Sequence, residues 1–269
     1  MRSARPPRVI FASLGDAVLY TAMKLFRRIV APPRERPSAP THEAQAYYLD
    51  GYLRGRFKTS PALARLNATT AKLRAGDLQP GFAWEQKYRH TQDLRPNVYE
   101  YDAAFVDVLF ESDVPALVKR VTGLGLVLAH IQLRRVFPGK SYMDWHRDTH
   151  IYGGTITGNL PPVHKLIFYP ATGSAPQPRL RVSPGTHRRM LEDRTRDVAQ
   201  VDDEAQDTIS SSDDGYILFE TSLLHAVVPE TEPVGSIRVI YQFCHDFQLE
   251  AYRDSAMLQD AYWSRVLHG

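Results

Sequence analysis

Cysteine is all but absent from this chain: Cys244 stands alone among 269 residues. A single thiol forms no internal disulfide, and its setting in Tyr241-Gln242-Phe243-Cys244 reads as a buried strand thiol, which fits a reducing, cytoplasmic location. Net charge is small as well, at +3. Domains that bind nucleic acid carry a concentrated basic face, so no nucleic-acid partner is expected. An uninterrupted apolar run of the roughly twenty residues that a transmembrane helix needs is also missing. The apolar stretch from Val9 to Val30 is broken by Asp16 and Lys24, too early for a secretory signal. No internal repeat is visible. The apolar and charged fractions are those of a globular protein, which excludes a disordered chain and a polytopic membrane protein.

What is present begins with a segment of distinct character. Arg2, Arg5 and Arg8 precede Phe11, Leu14, Val18, Ala22, Leu25 and Ile29, spaced in steps of three and four. That spacing predicts an amphipathic helix. Such a helix either packs on the main domain or, being basic, lies on a membrane surface through residues 9–30. Ala31 to Pro40 is proline-rich and predicts a stiff linker. Residues 1–40 are thus set apart from a single domain over 41–269.

Within that domain the spacing predicts helices from Thr41 to about Phe57, from Ser60-Pro61 to about Arg74, and from Ser112-Asp113 to about Val121. The character changes at Leu126. Leu126–Phe137, Val163–Tyr169, Leu180–Ser183, Tyr216–Glu220, Leu223–Val228 and Ser236–Phe247 are short runs of β-branched and aromatic residues separated by turn formers. No helical crossovers lie between them, so a sandwich or barrel is expected and a doubly wound sheet is not. Met190 to Asp214 is polar and acidic and reads as a surface loop or lid. Ser255 to Leu267 reads as a closing amphipathic helix. The fold class is mainly β with flanking helices.

Trp145-His146-Arg147-Asp148 carries the chemistry. In an extended chain His146 and Asp148 point to the same face, although chance alone supplies such triplets. Its weight comes from elsewhere. Leu224-His225-Ala226 puts an imidazole inside an apolar strand, where it costs free energy unless it binds something. Ser236 and Arg238 share one face of the last strand. Tyr142 and Trp145 offer an aromatic setting that would shield a metal. Two imidazoles and a carboxylate hold one face of Fe(II) and leave three positions open for a bidentate 2-oxo acid and O2. A guanidinium then grips the distal carboxylate of the oxo acid.

On Trp145-His146-Arg147-Asp148-Thr149, Arg181 to His187, Gly215 to Phe219, Leu224-His225 and Ser236-Ile237-Arg238, the chain resembles the Fe(II)/2-oxoglutarate dioxygenases of the phytanoyl-CoA dioxygenase type. The Pro184-Gly185-Thr186-His187 turn is close to that family's Pro-Gly-Ser-His. The resemblance runs from about Leu126 to Phe247. It implies a double-stranded β-helix buttressed by the preceding helices, with His146, Asp148 and His225 as iron ligands and Arg238 binding 2-oxoglutarate. It also implies hydroxylation over halogenation, since resembling halogenases lack the carboxylate of Asp148. The family's asparagine after the distal histidine is replaced here by Pro229-Glu230, and the substrate is not carried over.

Neighbouring residues have two readings each. Gln132 and Arg134 share a strand face, and one of them would reach co-substrate or substrate; a solvated Arg134 is the plain alternative. Ser236 would add a hydroxyl to the co-substrate. His150, a candidate substrate contact, lies four residues after His146, a zinc-helix spacing, but Arg147 stands where that motif needs its glutamate. His187 is expected to fix the turn. Lys165, with Arg179, Arg181, Arg188 and Arg189, would line a basic mouth for an anionic substrate, such as the acidic sugar of a lipopolysaccharide inner core. The rival substrates are a soluble acyl-CoA or a small natural product. A non-enzymatic jelly-roll binding module and a metal-dependent cupin without an oxo acid are the rival functions.

Overall fold

The computed structural model of the chain describes residues 41–78, 80, 82–87, 92–122, 126–138, 143–152, 155–158, 164–171, 177–188, 201, 206–211, 213–229 and 236–245. The expected helices over 9–30 and 255–267, the linker over 31–40, Tyr142, Arg189 and most of the polar segment after Met190 lie outside them.

Helix α1, His42–Asp50, starts where the Thr41 hydroxyl accepts from Ala44 N–H. It stops at Gly51, whose left-handed φ of 85° lets its N–H bond back to Tyr47 O. The single helix expected from Thr41 to Phe57 is therefore incorrect. Residues Tyr52–Arg56 form strand β1, because past the glycine the chain can pair with a neighbouring strand. Helix α2, Pro61–Ala75, is capped by Ser60 and has proline at its start, as expected. Its Leu63, Leu66, Thr70 and Leu73 form one buried stripe. Two short strands follow, β2 (Glu85–Lys87) and β3 (Gln92–Pro96), then α3 (Ala104–Phe110) and α4 (Val114–Thr122). The part before Leu126 is thus less helical than its spacing suggested. β1, β2 and β3 carry little apolar alternation and are held by pairing to other strands.

The rest is mostly antiparallel sheet: β4 (Leu126–Val136), β5 (Thr149–Tyr152), β6 (Thr155–Gly158), β7 (His164–Tyr169), β8 (Gln177–Val182), β9 (Asp207–Ser211), β10 (Gly215–Glu220), β11 (His225–Val227) and β12 (Ser236–His245). β9 corrects the reading of Met190–Asp214 as a surface loop or lid with a little helix. Its polar residues pair with β8, and only Ile209 needs burial. Seven strands form one sheet in the order β1-β10-β7-β12-β4-β3-β2, three form a second in the order β11-β8-β9, and β5-β6 is a hairpin. From β7 onward the chain passes repeatedly between the two larger sheets.

Alternation along the strands makes two cores. Leu166, Phe168, Leu218, Val239 and Tyr241 face the helices and meet Leu63, Leu66, Leu73 and Phe105. Ile167, Tyr169, Ile217, Phe219 and Ile240 face the other way and pack with Leu180, Val182, Ile209 and Val227 of the small sheet. Each such large side chain contributes about 1.5–3 kcal/mol on burial. The helices buttress the outer face, and the inner face is left for the site. No helix among the described residues is long and apolar enough to cross a membrane.

Leu66 is fully buried where α2 meets the sheet. Leu66→Ala should lower stability by about 2–5 kcal/mol, read as a lower urea midpoint with an unchanged slope.

Candidate metal centre

The segment around His146 meets the small sheet through an isolated antiparallel bridge to His225 of β11. His146 and His225 exchange two backbone hydrogen bonds of 2.9 Å, and Asp148 N–H donates to Thr221 O at 2.9 Å. Alternation then sends His146 and Asp148 to one side and Arg147 to the other. Arg147 is buried, and its Nη1 donates to the carbonyls of Thr186, at 2.7 Å, and Ser222. It pins the triplet to the Pro184-Gly185-Thr186-His187 turn and to the loop before β11. That turn is built in from both ends: Thr186 Oγ1 donates to Ser183 O and accepts from Leu224 N–H.

On the inner side the ligand atoms of His146, Asp148 and His225 all lie within 4.8 Å of one another. His146 Nδ1 is 2.6 Å from Asp144 O, and His225 Nδ1 is 2.8 Å from Leu223 O. A carbonyl oxygen only accepts, so both Nδ1 atoms carry protons, and the Nε2 atoms are the positions a metal would take. Those Nε2 atoms lie 3.8 Å and 3.6 Å from the Asp148 carboxylate oxygens. Such backbone contacts orient metal-binding imidazoles, and the set of two imidazoles and one carboxylate fits non-haem Fe(II).

Burial alone would raise the pKa of Asp148, but the Lys165 ammonium and the two imidazoles outweigh it and hold the carboxyl far below its usual range. Lys165 Nζ sits 2.7 Å from Asp148 Oδ2. Burial pushes His225 down to about 3, with His146 adding to the shift and Asp148 opposing it. His225 is therefore neutral, the state in which an imidazole binds a metal.

These groups line a cleft between the sheets. Arg134, Lys165 and Arg238 supply cations to its wall, while Met143, Ile167, Leu180, Phe219, Val227 and Ile240 make the apolar part. Arg238 is buried and lies opposite Arg134 in the register of β12 and β4. Phe219 meets the His225 ring edge to face, with centroids 4.9 Å apart.

Other expected site residues are placed differently. Gln132 does not line the cleft: its Oε1 accepts from Nε and Nη2 of Arg134, at 3.1 Å and 3.0 Å, so it aims that guanidinium. Ser236 is buried on the same face of β12 as Arg238, also outside the cleft wall. Trp145 is covered by the Arg181 guanidinium, 4.9 Å from its centroid, and the aromatic wall of the cleft comes from Phe219. His150 falls in β5 and not on a helix, which removes the zinc-helix geometry; its side chain lies outside the described residues. His187 fixes the turn, with Nε2 3.1 Å from Tyr48 O and its ring against Gly51. Lys165 does not join the outer arginines in a basic mouth. It points inward from β7, whereas Arg179 and Arg181 lie on the face of β8 opposite Leu180 and Val182. The sequence reading missed Arg147 and Thr186, since an arginine is ordinarily exposed.

No protein-family model matches the chain, and no curated protein matches it in sequence. Solved structures match it in fold. EvdMO1 is 18% identical over 76% of this chain, with a TM-score of 0.58, and the chain spans about half (49%) of its length. SnoN, a non-haem alpha-ketoglutarate-dependent epimerase from nogalamycin biosynthesis, is 12% identical, with 78% of this chain and 84% of SnoN covered and a TM-score of 0.58. SnoN has also been crystallised with Fe3+, alpha-ketoglutarate and nogalamycin RO. HygX from Streptomyces hygroscopicus is 14% identical, with 78% of this chain and 89% of HygX covered and a TM-score of 0.58. It carries nickel and 2-oxoglutarate, in one crystal together with hygromycin B. At these identities the likeness is one of fold.

The unfolded chain titrates His225 near 6.5 and the folded chain near 3. Below about 6.5 the unfolded state takes up a proton that the folded state does not, so His225 lowers stability as pH falls from 6.5 toward 3. Asp148 acts later: its depressed value contributes stability that is lost as pH drops below its usual 3.8. Urea midpoints of the apo protein should fall across the first window, and His225→Gln should flatten that fall. Equal slopes would assign it to another group.

Proposed function

We propose that the protein is an Fe(II)/2-oxoglutarate-dependent dioxygenase of the phytanoyl-CoA dioxygenase type, which hydroxylates an unactivated C–H bond of an organic substrate. The observation that carries this reading is the meeting of His146 and Asp148 with His225, which lies far along the chain, within 4.8 Å at a cleft that also holds the buried Arg238. Its fold neighbours SnoN and HygX, crystallised with Fe3+ or nickel and the same oxo acid, support it. On this reading the two sheets are the halves of a double-stranded β-helix, the strands from β7 onward crossing between them.

His146 Nε2, His225 Nε2 and one oxygen of Asp148 would hold the iron. Bound there with 2-oxoglutarate and O2, iron supplies the oxidant, the oxo acid leaving as succinate and carbon dioxide. This chain's part is placement. Arg238 grips the distal carboxylate of the oxo acid by a charge-assisted, two-pronged contact, and Arg134, aimed by Gln132, adds a second guanidinium across the strand pair. Ser236, beside Arg238 on the same strand face, supports that end of the cleft. The apolar wall of Leu180, Phe219 and Ile240 keeps water from the reacting carbon. Asp148 occupies the position that a halogenase would leave to chloride, which favours hydroxylation.

The excess of cations in the cleft supports an anionic substrate. We assign it as an anionic, membrane-associated sugar or glycolipid, such as the acidic sugar of a lipopolysaccharide inner core, reached from the cytoplasmic face through residues 9–30. A soluble acyl-CoA or small natural product is the second reading, favoured by the nogalamycin and hygromycin ligands of SnoN and HygX.

His146→Ala and Asp148→Ala should each abolish substrate-dependent succinate formation. Full turnover by both purified variants would remove iron from the assignment, and a protein that takes up no iron and does not melt higher with 2-oxoglutarate would be a binding module. Removing residues 1–30 should release the protein from the membrane fraction of lysed cells and lower activity on the glycolipid. An intact protein found wholly in the soluble fraction, with activity unchanged by the deletion, would leave the soluble substrate as the answer.

A further inference from the structure

Lys165 is out of place for a substrate hook. Its neighbours in register are Phe219 on β10 and Gln242 on β12, so its side chain rises from the middle of the seven-stranded sheet into the cleft. Only 12% of it is exposed, and Nζ bonds Asp148 Oδ2 at 2.7 Å. Oδ2 is the oxygen nearer His225, at 3.6 Å, whereas Oδ1 faces His146, at 3.8 Å. The ammonium thus claims one of the two oxygens that a metal between these three residues would use.

Two consequences follow from charge alone. A carboxylate oxygen already bonded to an ammonium shares less of its charge with a second cation. A fixed positive charge beside a divalent ion in a poorly solvated cleft also repels it, more strongly than it would in water. Arg134 and Arg238 come from β4 and β12, and neither is among the groups that hold the Asp148 carboxyl down.

We propose that Lys165 is a positioning residue of the metal centre: its ammonium holds Oδ2 of Asp148, presents Oδ1 as the metal's oxygen ligand and keeps the divalent ion loosely bound until the dianionic oxo acid joins it. This rests on the Fe(II)/2-oxoglutarate reading for the identity of the anion, but not for the effect of Lys165 on the metal. Metal and oxo acid then bind with positive coupling, each raising the affinity of the other, because the anion offsets the repulsion that Lys165 imposes.

The test is Mn(II) affinity of the full chain, read from the paramagnetic resonance of free Mn(II), with and without saturating 2-oxoglutarate. Lys165→Gln keeps a hydrogen-bond donor and removes the charge; Lys165→Arg keeps the charge; Lys165→Met removes both. Without the oxo acid, Gln and Met should bind Mn(II) roughly tenfold more tightly than the parent chain, a change of the size usual for groups behind metal ligands. Arg should stay within about twofold of the parent, since it keeps the charge that sets the effect. The gain that 2-oxoglutarate brings should shrink in Gln and Met. A merely structural lysine predicts weaker binding in both, and equal or weaker binding in both variants would overturn the proposal. If one neutral variant fails to fold, the other decides. The parent chain with Fe(II) and 2-oxoglutarate under anaerobic conditions tests the underlying reading separately: a missing metal-to-ligand charge-transfer band removes that reading, while the Mn(II) series without oxo acid still decides what Lys165 does.

Discussion

The site depends on one backbone contact, the pair of 2.9 Å hydrogen bonds between His146 and His225. Two imidazoles on directly paired residues of neighbouring strands project together, with ring centroids 4.2 Å apart. Asp148 then joins them by alternation alone. Register is thus a chemical constraint here, because a slip of one residue would turn His146 and Asp148 outward and bring Arg147 in. Arg147 guards against that slip. Its buried guanidinium bonds the carbonyls of Thr186 and Ser222 on the outer side.

The remaining architecture supports that register. Helices α1 to α4 cover one face of the large sheet and leave its other face to the cleft. The Pro184-Gly185-Thr186-His187 turn ties the site to the first helix: Gly185 N–H bonds Asp50 O and His187 reaches Tyr48 O. Gly51 makes this approach possible, since a Cβ there would lie 2.4 Å from the His187 ring. One glycine therefore ends α1, turns the chain into β1 and seats the turn that holds Arg147.

Much of this was legible in the sequence, for reasons that differ by element. β4, β7, β10 and β12 are dense in β-branched and aromatic residues because both of their faces are covered. β2 and β3 were not legible, as Glu85-Gln86-Lys87 has no apolar pattern and gains its order from pairing to β3, which in turn pairs with β4. Strand parity made His146 with Asp148 legible, and Ser236 with Arg238, whereas His225 was legible as an imidazole inside an apolar strand that could complete a two-histidine, one-carboxylate set. Parity also showed that Gln132 and Arg134 share a face, but not that Gln132 spends its acceptor on Arg134. Lys165 could be recognised as a charge in an apolar strand, yet its partner Asp148 lies outside that sheet, and only the folded chain brings them together.

Charge in the cleft is what the fold cannot have arranged for stability alone. Arg134, Lys165 and Arg238 line the cleft together with a single carboxylate, Asp148, and His225 stays neutral. Burying cations between two apolar sheets costs free energy that their hydrogen-bond and ion-pair partners must offset. The arginines come from β4 and β12, and Lys165 comes from β7, where its charge is taken up by Asp148. A 2-oxo diacid that meets a metal through its oxo and adjacent carboxylate groups leaves its far carboxylate for a guanidinium. The metal ligands and the buried Arg238 of the same cleft thus fit one co-substrate, and Arg134, aimed by Gln132, adds a cation beside it.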